Sequence, residues 1–394
     1  MNLSNYEKRE KEEEKIEETG HEDAADININ DIRTKSEFRG IVFSEFKKSD
    51  AKKELINAMV HSKYESSCYW SAEFICAGHY NDLWEIIINF FSKYIHISNP
   101  KLCIYLKTRF EMFKYILKNG YIDIELSARN HIKIRKLFCE VVCVLCGSNK
   151  NHVHNTSTIK LISDDYELET MQEKISCPKN VIYINTLFQA GDPRELYVSY
   201  NEFVYNLSEL NTRGACYWME WILMFSRHVS CLTKKSSKVK DEIECERRRF
   251  IGSGLDIKYE KDVVWMIWDA FLAKAADIQN PKEKIIKEIV NSCLVLFASN
   301  YSVSSYTKYK SLMYFIVQIL SDPCMRTMSV EMIPNKSYLE PFVENINNVY
   351  VQIKHNEYSP NTEYLFNGAN PTQSNLNKSI ANMEAMNKMV SDDY

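Results

Sequence analysis

The tripeptide Cys-Tyr-Trp occurs twice in this chain, and its two settings can be laid over each other. Residues 54–75 lie on residues 202–223 without a gap: Glu54 meets Glu202, Leu55 meets Phe203, Met59 meets Leu207, and Cys68-Tyr69-Trp70 meets Cys216-Tyr217-Trp218. The offset is 148 residues. Residues 82–101 lie on residues 263–282 in the same way, with Trp84 on Trp265, Phe90 on Phe271 and Asn99-Pro100 on Asn280-Pro281, at an offset of 181. The second copy therefore carries 33 additional residues between its second and third segments. All six Trp of the protein fall in these windows. Two ungapped windows in the same order point to a tandem duplication of one helical unit.

The unit reads as helical. Gly and Pro number only ten and nine in 394 residues, too few for the tight turns of an all-β chain. AKKELINAMVHSKY is amphipathic at helical spacing through Leu55 and Met59, and CYWSAEFICAGHY forms a second helix that stops near Gly78. NDLWEIIINFFSKYI is a third. Asn99 then reads as a cap with Pro100 at the first helical position, starting KLCIYLKTRFEMFKYILKNG; HIKIRKLFCEVVCVLCGS is a fifth helix ending at Gly147. In the second half, Asp192-Pro193 with Glu195 reads as a capping box. The expected architecture is all-α, with two tandem helical units between disordered termini. It comprises an acidic tail at 1–35, unit one at 45–150, a linker at 151–190, unit two at 191–345 and a poorly ordered tail at 355–394. The insertion, at about 226–256, is read as an exposed loop with room for a short helix.

With 45% hydrophobic residues the chain can bury a sizeable core, and no apolar run reaches the ~18–20 residues of a membrane span. Twelve Cys, mostly inside apolar helical stretches and with no secretory leader before them, read as reduced thiols in a reducing compartment. Cys139, Cys143 and Cys146, followed by His152 and His154, have the spacing of a cluster ligand set. They also fall on one face of an apolar helix, where Cys is a good small core residue, and a cluster needs backbone free to wrap it. The core reading is preferred. His228, Cys231 and Cys245 offer three zinc ligands where a structural site takes four. No phosphate-binding loop, nucleophile elbow or zinc-protease motif is present. No catalytic residue, cofactor or metal is therefore expected.

A net charge of −4 gives no global attraction to nucleic acid. The insertion is locally basic, and Lys234, Lys235, Lys238, Lys240, Arg247, Arg248 and Arg249 are its candidate phosphate contacts. Tyr69, Trp70, Trp84, Asn99 and Pro100, with Tyr217, Trp218, Trp265, Asn280 and Pro281, are the candidate structural residues of the repeat.

Within the first unit, the order Tyr69-Trp70, Ala72, Gly78, Phe91-Ser92, Asn99-Pro100, Phe110, Phe113, Gly120-Tyr121 and Ser148-x-Lys150 resembles the C-terminal helical region of the RarA/MgsA family, AAA+ ATPases related to clamp loaders. The resemblance covers roughly residues 54–150. In that family this region forms an oligomerising collar and the ATPase lies upstream. The short segment before residue 54 cannot hold such a domain, so the resemblance implies the collar without its ATPase chemistry. The whole chain also resembles proteins of large nucleocytoplasmic DNA viruses, which implies a replication site in host cytoplasm. Together these imply a non-enzymatic interaction or oligomerisation protein in viral DNA replication or repair. A clamp-loader-like ATPase or another replication factor would be its partner, with no membrane association and with self-association open. Two alternatives are an accessory nucleic-acid-binding protein that uses the insertion and a virion structural or host-interaction protein.

Overall fold

The computed structural model describes residues 27–119, 125–151, 161, 163–177, 182–236, 243–252, 255–278, 284–299, 301–302, 304–322, 331–333 and 336–357. They form helices and connecting turns, with one isolated antiparallel bridge between Ile41 and Lys47. The fold is all-α, as the sparse Gly and Pro and the helical periodicity require.

The first half contains α1 (Lys48–Val60), α2 (Tyr64–Cys76), α3 (Tyr80–Phe90), α4 (Leu102–Lys118), α5 (Glu125–Asn130) and α6 (Ile132–Gly147). A short α7 (Leu168–Lys174) leads to the second half: α8 (Tyr197–Ser208), α9 (Thr212–Ser236), α10 (Val264–Ala276), α11 (Lys284–Ala298), α12 (Ser305–Lys308) and α13 (Lys310–Ser321). α14 (Lys336–Glu344) and α15 (Ile346–Lys354) follow. α1 buries one stripe, Ala51, Leu55, Ala58 and Met59, the i, i+4, i+7, i+8 pattern of a core-facing face, whereas α13 is buried on nearly all sides.

The turns joining α1 to α2 and α8 to α9 have the same construction. Ser62 (φ 54°) and Leu210 (φ 59°), 148 residues apart, both adopt the left-handed conformation. The amide of the next residue reaches back in both: Lys63 N–H to Ala58 C=O and Asn211 N–H to Asn206 C=O, each at 2.9 Å. This is the six-to-one bond of a Schellman helix end. A leucine in that conformation costs about 1–2 kcal/mol, so the surrounding packing must impose it. Helix starts keep step as well, with α2 at Tyr64 and α9 at Thr212.

The halves share one core. α4 packs along α11, and α13 lies against α3. α3 runs into a π-helical turn, Phe91–Ile95, where Phe91 meets Phe315 edge-on at 5.2 Å and the hydroxyls of Ser92 and Ser311 are 2.7 Å apart. α14 and α15 do not stay with the second half but return to cover α2 and α6.

Four expectations change. The tail read as 1–35 becomes packed chain by residue 27: Ile29 is buried, and its backbone N–H and C=O both bond the Asn130 side-chain amide at 2.8 Å. Arg135 pins this segment and α15 together, because its guanidinium donates to the Asn130 side chain and lies 4.0 Å over the Tyr350 ring. Asn99 is not the cap of α4, which begins at Leu102. The Asn99 amide nitrogen instead donates to the carbonyls of Glu331 (3.1 Å) and Met332 (3.2 Å), tying the start of α4 to the segment before α14. Asp192 does not cap a helix, since its carboxylate is occupied elsewhere. The insertion is not a loop from its start, because α9 continues as helix to Ser236.

Candidate functional site

Among the described residues, a group of thiols converges between α2 and α6. On α6, Cys139, Cys143 and Cys146 sit at i, i+4 and i+7 and so form a single stripe. That stripe faces α2 at Ser67-Cys68. Cys68 Sγ lies 3.6 Å from Cys139 Sγ and 3.5 Å from Cys143 Sγ, and all three sulfurs are within 4.8 Å of one another. One turn on, Cys146 Sγ donates to the Ser67 hydroxyl at 3.1 Å. α14 closes the site. The Cys139 thiol donates to the Phe342 carbonyl at 3.5 Å, and the Phe342 ring stacks on Tyr64 at 4.9 Å.

All three thiols of the cluster are at most 2% exposed. Contacts with the Cys139 and Cys143 thiols hold the pKa of Cys68 well below the ordinary thiol value, against the opposing effect of burial. Burial pushes Cys146 up to about 12. The stripe on α6 was legible from spacing, whereas Cys68, 71 residues earlier in sequence, was seen only as part of the repeated tripeptide. Its counterpart Cys216 is also buried, with its pKa raised to about 12 by that burial, but it joins no metal-like group among the described residues. One turn along from it a polar trio stands instead: the Glu220 carboxylate accepts from Lys310 Nζ at 2.6 Å and from the Tyr314 hydroxyl at 2.8 Å.

The basic insertion is not one surface. Arg248 is buried, and its guanidinium grips Asp192 in a two-point pair: Nη1 to Oδ1 at 2.9 Å and Nη2 to Oδ2 at 2.7 Å. Asp269 lies 2.9 Å from Arg248 Nε. Asp192 also accepts the backbone amides of Gln189 (2.8 Å) and Glu246 (3.0 Å), so the pair staples the start of the second half to the returning insertion. Arg248 is therefore withdrawn as a nucleic-acid contact, since a carboxylate already holds its fork out of solvent. Arg247 is at the surface, paired with Glu260 at 2.7 Å, and Arg249 is exposed. Lys234 and Lys235 fall in the last turn of α9. Lys238 and Lys240 lie outside the described residues.

Among the proposed core residues, Trp84, Trp218 and Trp265 are buried. Trp84 is ringed by Phe110 (5.1 Å) and Phe138 (5.3 Å), and Trp265 Nε1 donates to the Tyr259 carbonyl at 2.7 Å. Tyr69, Trp70 and Tyr217 are only partly buried, and Trp70 rests edge-on against the half-exposed Phe46 at 5.4 Å. Pro100 is buried in the turn ahead of α4. Asn280 and Pro281 lie outside the described residues.

Two further buried carboxylates were not anticipated. Glu73 accepts the Ser44 amide (2.9 Å) and hydroxyl (2.6 Å), and Glu202 accepts the amides of Ser176 (3.0 Å) and Cys177 (2.9 Å). Each fastens an irregular segment to a helix of the core. Among the described residues no helix is long and apolar enough to cross a membrane. Comparison with known protein families, with characterised proteins and with solved structures finds no match.

Proposed function

We propose that the chain is one helical unit used twice, closed on itself as a pseudo-dimer, and that it works without catalysis by presenting helical surfaces to protein partners. The observation that carries this reading is the Schellman turn at Ser62 and Leu210, repeated at the offset that superimposes the Cys-Tyr-Trp tripeptides. The pairing of α4 with α11 supports it, because the 181-residue offset makes these helices counterparts, and counterpart helices meet across a two-fold interface. The buried charged groups support the non-catalytic part. Glu73 and Glu202 each hold backbone amides, and Asp192 and Glu220 each hold a cation. Groups spent on holding segments together are poorly placed to move protons for a substrate.

The resemblance of residues 54–150 to a clamp-loader-type collar then suggests the partner, a clamp-loader-like ATPase or another replication factor at a viral replication site in host cytoplasm. The nucleic-acid alternative is weaker than the sequence made it, since the middle arginine of Arg247-Arg248-Arg249 is an internal staple.

A pulldown of the tagged protein from infected cells, with and without nuclease, tests the reading. Clamp, clamp-loader or polymerase subunits that survive nuclease are the expected result. Loss of those partners with nuclease, together with salt-sensitive DNA binding by the pure protein, favours the alternative. Capsid proteins alone point to a virion component and overturn the replication reading.

A further inference from the structure

We propose that Cys68, Cys139 and Cys143 form a three-coordinate thiolate site for a soft monovalent d10 cation, Cu+. The argument is geometric. With two sulfur separations of 3.5 and 3.6 Å and a third no longer than 4.8 Å, a point equidistant from the three sulfurs lies about 2.0–2.4 Å from each. That matches the length of a metal–thiolate bond, about 2.3 Å. The tripod spans two helices locked by the core, so no segment has to fold around the ion.

The same geometry selects the metal. Zinc in a structural site takes four ligands, and the natural fourth candidate is Cys146. On an intact helix Cys139 and Cys146 are separated by about 10 Å along the axis, too far for both to bind one ion. The group contains no imidazole or carboxylate. An all-sulfur donor set favours soft ions such as Cu+. Binding is written Cu+ + 3 RSH → [Cu(SR)3]2− + 3 H+, with the protons released to buffer and no change of oxidation state.

The test is an anaerobic titration of the full-length reduced protein with Cu+, supplied as its acetonitrile complex, in competition with a chromogenic Cu+ chelator. The expected result is one equivalent of Cu+ withheld from the chelator, near-ultraviolet sulfur-to-copper charge transfer, and three sulfur scatterers in X-ray absorption. Cys68→Ser and the double variant Cys139→Ser/Cys143→Ser should lose that equivalent, while Cys216→Ser keeps it. Circular dichroism checks that each variant is folded. If a variant does not fold, the wild-type absorption spectrum decides alone. Fewer than three sulfurs, or Cu+ surrendered fully to the chelator, overturns the proposal. So does retention of the equivalent by folded Cys68→Ser, which assigns the binding to other thiols. A Co2+ complex with intense tetrahedral visible bands overturns the three-coordinate geometry.

Discussion

Replacing Arg248 with Met separates a structural staple from a surface contact. Met keeps much of the length and volume and removes the charge. Asp192 would retain the backbone amides of Gln189 and Glu246 but lose both guanidinium bonds, and Asp269, whose acidity burial already weakens, would lose its cation as well. Removing one partner of a buried pair leaves an uncompensated charge and costs about 3–5 kcal/mol. Unfolding entropy for a chain of this size is roughly 0.6–0.8 kcal/mol per kelvin at the midpoint, so the melting temperature should fall by about 4–8 °C. Arg247→Ala, by contrast, breaks a pair at the surface and should cost at most about 1 kcal/mol. A double-mutant cycle with Asp192→Asn should return a coupling of about 0.5–3 kcal/mol, since the neutral amide no longer needs the cation. The assay is thermal melting followed by circular dichroism, with oligonucleotide binding measured on the same samples. If Arg248→Met melts within about 1 °C of the wild type, the buried-pair reasoning would be refuted. If its oligonucleotide affinity also drops, Arg248 belongs to a surface after all.

Two further outcomes follow from burial. Trp84→Ala, Trp218→Ala and Trp265→Ala should each cost about 3–5 kcal/mol in denaturant unfolding, while half-buried Trp70→Ala should cost clearly less; equal costs at Trp70 and Trp218 would contradict the packing described. His79 is buried with its Nε2 donating to the carbonyls of Phe38 (3.0 Å) and Ile41 (2.9 Å), and burial lowers its pKa. Its contribution is thus complete above the unfolded-state value of about 6.5 and declines as pH falls from there toward the folded value. The wild type should lose more stability than His79→Gln between about pH 7 and 5, and parallel losses would sink the assignment.

What could be read from the sequence was local. The apolar stripe of α1, the stop of α2 near Gly78 and the span of α6 all follow from spacing within a dozen or so residues. The features that were misread have partners far away. Asn99-Pro100 carries the signature of a helix start, but carbonyls 232 and 233 residues later compete for the Asn99 amide. Asp192 looks like a cap until Arg248, 56 residues on, takes both its oxygens. The thiol site divides the same way: its α6 half is a periodicity and its α2 half is a tertiary contact. Arg-Arg-Arg reads as one patch because sequence shows charge but not direction, and the turn around Arg248 sends its side chain inward.

The return of α14 and α15 to α2 and α6 has a consequence for how the chain is made. While the second half is still being synthesised, the groove that Phe342 and Tyr350 will fill stands open on the nascent first half. At about 5–20 residues per second, the roughly 200 residues between α6 and α15 take ten seconds or more to emerge. The first half must wait on the ribosome with an apolar seam exposed, and a stop codon anywhere before α14 leaves that seam permanently uncovered. Premature termination should therefore yield a species that chaperones hold and proteases clear, even though every helix from α1 to α6 has been made.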